Sequence, residues 1–187
     1  MTYDFSDDWF SHNIPLFEQF LGNLKGRPCR LLEIGSYEGR SAIWLAENIA
    51  IHPASRIETI DVFESPRLRR NLEAAGHPER LMFYRGTSAV ILRTLPLDSY
   101  DFAYIDGCHS RVNVLEDAVL AFRLLKAGGV VAFDDYLKAD KDILDPNQEG
   151  RPKEAIDAFL AIYAQKIEVL HREYQVWVRK RSRDGRL

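Results

Sequence analysis

The chain is short of cysteine, of long apolar runs and of surplus positive charge, and each shortage removes a class of function. Two cysteines, Cys29 and Cys108, cannot build a disulfide framework or a zinc site alone. Their scarcity fits a reducing, cytoplasmic compartment. Cys29 opens an apolar run and reads as a small core residue, and Cys108 reads as a packing residue rather than a nucleophile. No uninterrupted apolar run approaches the ~20 residues that a membrane-crossing helix needs. The opening MTYDFSDDWF is acidic and lacks the basic-then-apolar order of a secretory signal. Lys and Arg number 25 against 28 Asp and Glu, a net charge of −3, which argues against coating nucleic acid through bulk positive charge.

What remains is ordinary globular material. The 187 residues are 46% hydrophobic and 28% charged, which excludes a disordered or collagen-like chain and suits one domain. No internal repeat or low-complexity tract interrupts it. The one local charge shift is the basic stretch at 179–186, read as a solvated end with phosphate binding as its alternative.

The middle alternates strand and helix. Leu31–Ile34 is an apolar run that stops at a glycine, a buried-strand pattern. Ala42, Leu45, Ala46 and Ile49 then mark one helical face. Arg56–Val62 and Leu81–Arg85 read as strands, with a helix from Pro66 to about Ala75 between them. A helix over Ser88–Leu95 leads to a strand at Tyr100–Ile105. An amphipathic helix carrying Val114, Ala118, Phe122 and Leu125 follows, stopped by Gly128-Gly129 before a strand at Val130–Phe133. Strand–helix alternation predicts a parallel sheet with helices on both faces. A helix around Ile14–Leu24 precedes it, and a helix from Pro152 through Tyr163 follows a polar loop. Lys166–Tyr174 and Val176–Arg181 lie too close for a crossover and predict an antiparallel hairpin. The expected fold is α/β, a doubly wound seven-stranded mixed sheet whose last strand is antiparallel. It divides into an N-terminal helical cap (1–28), a βα core (29–135), and a lid loop, helix and hairpin (136–187).

Two clusters carry chemistry. The first is LLEIGSYEGRSA, where a strand ends at Glu33-Ile34, Gly35 and Gly39 form a turn, and a helix follows. Ligands of open α/β sheets bind at such strand ends. Tyr37 stands where a G-x-G-x-x-G fingerprint would have glycine, which disfavours a dinucleotide cradle, and there is no phosphate-loop motif. Asp61 ends the second strand about 20 residues on, where a carboxylate can accept ribose hydroxyls; a capping or solvated Asp is the alternative. Ser88, after Gly86-Thr87, reads equally as an adenine contact or a helix cap.

The second cluster is Asp106, after the fourth strand, with Asp134-Asp135 after the fifth. Adjacent strands lie ~4.8 Å apart, so these acids converge, and crowded carboxylates favour a divalent cation such as Mg²⁺. Loop capping without metal is the alternative. His109 lies three residues past Asp106. An imidazole ordinarily titrates at ~6.5 and can take a proton near neutral pH, so His109 reads as a base, a further metal ligand or a rim residue. Trp9, Phe10, His12 and Asn13, together with loop 137–151, are candidate lids. For Trp9 and Phe10, packing of the first helix is the alternative.

EIGSYEGRSA resembles the first motif of class I S-adenosylmethionine-dependent methyltransferases of the catechol O-methyltransferase type. YIDGCHSRVNVLEDAVLAFRLLKAGGVVAFDDY is similar to a small bacterial I-D-G-x-H branch related to macrolide sugar O-methyltransferases. The resemblance covers about residues 29–181 and implies a Rossmann-like fold. It implies that S-adenosylmethionine (SAM) is held by Glu33, Gly35, Ser36, Tyr37, Gly39, Ser41, Asp61, Val62, Thr87, Ser88 and Asp106. It also implies Mg²⁺ at Asp106, Asp134 and Asp135, although the family usually has Asp-Asn at the last pair. His109 stands at the offset where catechol-type enzymes place a lysine base, so His109 and Asp106 are the catalytic candidates. The implied reaction is methyl transfer to a hydroxyl of a small phenol, catechol or sugar diol, with a homodimer allowed and no nucleic-acid or membrane partner. The rivals are a nicotinamide oxidoreductase, distinguished by NAD binding, and a non-catalytic cofactor-binding module on the same scaffold.

Overall fold

The computed structural model describes residues 2–138 and 151–181. The strands form a seven-stranded sheet in the order β3 (Leu81–Arg85), β2 (Arg56–Asp61), β1 (Arg30–Ile34), β4 (Tyr100–Ile105), β5 (Leu125–Phe133), β7 (Val176–Lys180) and β6 (Ile167–Arg172), the mixed α/β topology expected from the alternation and the terminal hairpin. The chain forms two compact units, the first ending at Gly86 and the second beginning at Thr87. Among the described residues no helix is long and apolar enough to cross a membrane.

The first unit runs α1 (Ile14–Leu21), β1 (Arg30–Ile34), α2 (Arg40–Asn48), β2 (Arg56–Asp61), α3 (Pro66–Ala75) and β3 (Leu81–Arg85). β1 pairs with β2 and β2 with β3, both parallel. Leu31, Leu32 and Ile57 are fully buried, as strands covered on both faces require. Glu58 is buried among them and is tolerated because Arg30 grips it through two bonds of 2.9 and 2.7 Å. α3 has both expected boundaries. The Ser65 hydroxyl accepts from Leu68 N at 3.0 Å, Pro66 opens the first turn, and Gly76 closes the helix at φ +68°. Phe10 and Phe17 pack edge-on at 5.0 Å and both meet Trp44, which anchors α1 on α2. Cys29 is buried beside Ser55, as expected of a core residue.

The second unit holds α4 (Ser88–Ile91), β4 (Tyr100–Ile105), α5 (Arg111–Leu124), β5 (Leu125–Phe133), α6 (Pro152–Tyr163), β6 (Ile167–Arg172) and β7 (Val176–Lys180). β4 and β5 are parallel, and β7 runs antiparallel to both β5 and β6. Trp177 is fully buried and stacks on Phe102 with centroids 5.5 Å apart.

Three expectations are corrected here. α4 is a single turn that ends at Ile91 rather than Leu95. Gly128-Gly129 does not stop α5. The helix ends at Leu124, Leu125 already pairs with Tyr100, and the glycines lie inside β5 at a register shift. Lys126 draws this segment onto β4 through Asp101, at 2.7 and 2.8 Å. A Cβ on Gly129 would stand 3.0 Å from the carbonyl oxygens of both Tyr100 and Lys126, so close backbone approach demands glycine there. Finally, α5 is buried on more than one face, because α6 covers it through Phe122–Phe159 and Phe122–Tyr163 contacts at 5.7 and 4.8 Å.

The described part of the basic stretch is strand rather than loose end. Arg179 pairs with Glu168 at 3.0 Å, and Lys180 bonds Asp98 and the carbonyl of Leu125. Residues 182–186 of that stretch lie outside the described residues, as do 139–150 of the expected lid loop.

Candidate active site

In the first unit, the turn between β1 and α2 is bent by three left-handed residues, Gly35, Tyr37 and Gly39, at φ +98°, +47° and +86°. Gly39 also lies against α3, where an added Cβ would meet Leu68 at 3.1 Å. Asp61, at the end of β2, holds the turn in place. Its Oδ2 accepts the backbone N–H groups of Ser36 and Tyr37 at 3.0 Å each, and its Oδ1 accepts that of Phe63 at 3.0 Å. Val62 and Phe63 beside it are exposed.

Glu33, an expected cofactor contact, is enclosed beneath the turn. It has no exposed surface, and its two oxygens accept from the hydroxyls of Ser41 and Thr59. The Ser36 hydroxyl is turned inward onto Thr59 at 2.5 Å. Glu33 and Ser36 therefore hold the turn from beneath. Burial pushes the Glu33 carboxyl up to about 7, against the pull of its two hydroxyl donors. Thr59 was missed from sequence, although it lies two residues before Asp61 and so on the same strand face.

The expected N-terminal lid residues separate. Trp9 stays exposed and stacks on Tyr37 at 5.1 Å, against the glycine-rich turn. Phe10 and Asn13 are buried and His12 is exposed. The buried Glu38 carboxylate accepts from the backbone N–H of Ser6 at 2.7 Å, and Tyr37 Oη donates to Asp7 at 3.1 Å.

In the second unit, β4 and β5 bring their carboxyl ends together, with Asp134 N donating to the Ile105 carbonyl at 3.0 Å. Asp106, His109 and Asp135 each place one ligand atom within 4.8 Å of the others. His109 Nε2 lies 2.7 Å from Asp135 Oδ2, and the Tyr174 hydroxyl donates to Asp135 Oδ1 at 2.8 Å. Burial alone would raise the Asp135 carboxyl. The hydrogen bonds from His109 and Tyr174 and the charge of Lys138 work against it, and the group is held at about 2. Tyr174 is raised well above the ordinary phenol range, by burial and by its bond to Asp135.

Asp134, expected beside Asp135 as a metal ligand, lies outside this group of three. It is buried, bonded to the Tyr104 hydroxyl, to Gln175 Nε2 at 3.0 Å and to the backbone N–H of Asp135 at 2.8 Å. Burial pushes its pKa up. Gln175 is itself fixed by Trp177 Nε1 at 2.9 Å. Tyr104 Oη also lies 3.2 Å from Asp106 Oδ2, so one phenol stands between the two acids and its single hydrogen serves one of them at a time. Tyr104 lies two residues before Asp106 in β4, a same-face spacing that could have identified it. Lys138, Tyr174 and Gln175 carry no such local signal.

Two further expectations change. Thr87, not Ser88, caps α4 and makes no side-chain cap bond; the Ser88 hydroxyl bonds Asp117, a buried α5 carboxyl that desolvation raises to about 6. Cys108 is exposed rather than packed, and Asn113 Nδ2 donates to its sulfur at 3.1 Å.

Residues 32–136 match the family described as Methyltransferase domain. Catechol O-methyltransferase of Mycobacterium tuberculosis is 31% identical over 113 residues, which make up 58% of this chain and 49% of that protein. The chain spans about half the length of the curated relatives it matches. The O-methyltransferase TomG of Streptomyces achromogenes, solved in complex with SAM, superposes with a TM-score of 0.70 at 21% identity, covering 90% of this chain and 80% of that one. The MycE methyltransferase of the mycinamycin pathway, solved with Mg, S-adenosylhomocysteine (SAH) and mycinamycin VI, superposes with a TM-score of 0.69 at 17% identity, covering 95% of this chain and 52% of that one. The structural likeness speaks for the shared fold. The matched segment takes in more than half the chain, from β1 to the turn after β5, and includes Asp61, Asp106, His109 and Asp135, so this chain belongs to the methyltransferase domain family.

Proposed function

We propose that this chain transfers the methyl group of SAM to a hydroxyl oxygen of a small molecule, with neighbouring oxygens of a phenol, catechol or sugar diol as the acceptor class. The observation that carries this reading is the convergence of Asp106, His109 and Asp135 within 4.8 Å, in a chain that also holds the Asp61-braced glycine-rich turn. The curated relative that is a catechol O-methyltransferase and the solved relatives bearing SAM or SAH support the same reading.

In the first unit, Asp61 braces the turn and presents its carboxylate to ribose hydroxyls. Gly35, Tyr37, Gly39, Ser41 and Val62 complete the proposed cofactor contacts in that unit. Bound SAM supplies a methyl electrophile on a sulfonium. In the second unit, His109 accepts the acceptor hydroxyl proton, and Asp135 stabilises the imidazolium that forms. The acceptor oxygen makes the new bond to the methyl carbon as the carbon–sulfur bond breaks. His109 holds the released proton until it passes to water. Positioning and oxygen activation are the two contributions asked of the protein.

Two carboxylates and an imidazole also suit a small divalent cation, which Asp106 and Asp135 would hold. When bound, such an ion lowers the pKa of a neighbouring hydroxyl.

The test is calorimetric titration with SAH and with NAD, followed by methyl-donor turnover on catechol, phenol and vicinal-diol panels. SAH binding with turnover on one panel is the expected result. NAD binding in its place would assign the pocket to an oxidoreductase, and SAH binding with no turnover on any acceptor would favour a binding module.

A further inference from the structure

The acidic rim already contains a cation supplied by the chain. Residues Asp135 to Lys138 form a turn closed by Lys138 N donating to the Asp135 carbonyl at 3.0 Å. Asp135 enters this turn at φ +58°, so the chain reverses immediately after β5. The reversal brings the Lys138 ammonium back over the rim, where Nζ lies 3.0 Å from Asp135 Oδ2 and 3.3 Å from His109 Nδ1. Its side chain is mostly covered, at 20% exposure.

These contacts assign the imidazole tautomer. An ammonium only donates, so Nδ1 must offer its lone pair to Lys138. Nε2 then carries the hydrogen directed at Asp135 Oδ2, 2.7 Å away. Lys138 therefore covers the nitrogen lone pair of His109 and shares the Asp135 oxygen that a metal ion would need. An ammonium and a dication cannot occupy the same carboxylate oxygen without strong repulsion in a partly desolvated site.

We propose that Lys138 is the resident cation of this rim and competes directly with a divalent metal for Asp135 and His109. The proposal rests on the metal-compatible donor set described above and concerns which cation that set holds. A metal can enter only when Lys138 swings out, and the same movement uncovers the Nδ1 lone pair with which His109 takes the acceptor proton. The 135–138 turn thereby sets how strongly the chain depends on added metal.

The experiment titrates the full chain with Mn²⁺ alone and reads the free ion by electron paramagnetic resonance, for wild type, Lys138→Met and Asp135→Asn. Lys138→Met should bind Mn²⁺ at least tenfold more tightly than wild type, and Asp135→Asn more weakly. A Lys138→Met affinity within twofold of wild type, or Mn²⁺ binding by neither protein, would overturn the proposal. SAH affinity measured on the same samples separates this outcome from failure of the methyltransferase reading, because the cofactor residues of the first unit are untouched by both substitutions. Circular dichroism of each variant confirms that the compared proteins are folded.

Discussion

His109 Nε2 lies 2.7 Å from Asp135 Oδ2, at the end of a strand pair that also carries Asp106. The pairing orients the imidazole and holds the carboxylate ionised, since its pKa is drawn down to about 2. On the proposed chemistry, His109→Gln should lower kcat by roughly 10²–10⁴-fold, the usual contribution of a positioned general base. SAH affinity should stay within about twofold of wild type, because His109 acts on the acceptor oxygen. Methyl-transfer kinetics with calorimetry on the same preparation check both halves. Undiminished turnover would remove His109 from the mechanism.

Asp61 is the equivalent test for the cofactor turn. It accepts three backbone N–H groups, and an ionised acceptor makes each bond stronger than a neutral one would. Asp61→Asn should weaken SAH binding by roughly 10- to 100-fold, corresponding to the ~1.5–3 kcal/mol of a charged hydrogen bond. Calorimetry measures it. An unchanged dissociation constant would leave Asp61 as a purely structural brace.

Glu33 makes a prediction about stability rather than activity. Its folded pKa is raised to about 7, so between the ordinary carboxylate range and 7 the folded chain keeps a proton that the unfolded chain has released. Stability contributed by this group is therefore present at low pH and lost as pH rises through that window. Glu33→Gln removes the titration. The variant should gain about 1–3 kcal/mol over wild type at pH 8 and much less at pH 4. Urea unfolding at the two pH values decides it; an equal difference at both would show that Glu33 does not titrate in this range.

The β5 glycines allow a packing test. Gly129→Ala introduces a Cβ 3.0 Å from two carbonyl oxygens, one on β4 and one on its own strand. The cost should be about 1–3 kcal/mol, the range for forced overpacking. Gly22→Ala meets no atom of the described residues within 4 Å and should be neutral or stabilising by up to ~1 kcal/mol. Thermal melts of the pair give the comparison, and equal melting temperatures would contradict the close approach of β4 and β5.

Much of the fold was legible because its signals are local. Pro66 and Gly76 delimit α3 through their own backbone preferences, and Tyr100–Ile105 reads as β4 from its apolar and aromatic residues alone. Gly128-Gly129 misled for the opposite reason. A glycine pair after an apolar helical pattern is a normal helix stop, and only the Lys126–Asp101 pair and the approach of Tyr100 turn it into a strand interior. Trp9 and Phe10 are adjacent and chemically alike, yet one packs on Phe17 and the other stacks on Tyr37.

From the sequence alone came the alternation, the glycine-rich turn, and the acids that end β2, β4 and β5, because each is a property of a few consecutive residues. The tertiary structure alone decided that Asp135 rather than Asp134 joins Asp106 and His109, and that Lys138 sits among them. That choice depends on a left-handed residue reversing the chain after β5 and on Tyr104, Gln175 and Trp177 claiming Asp134 from two other strands and a hairpin turn. Partners so far apart in the chain leave no periodic trace, so only folding brings them within reach.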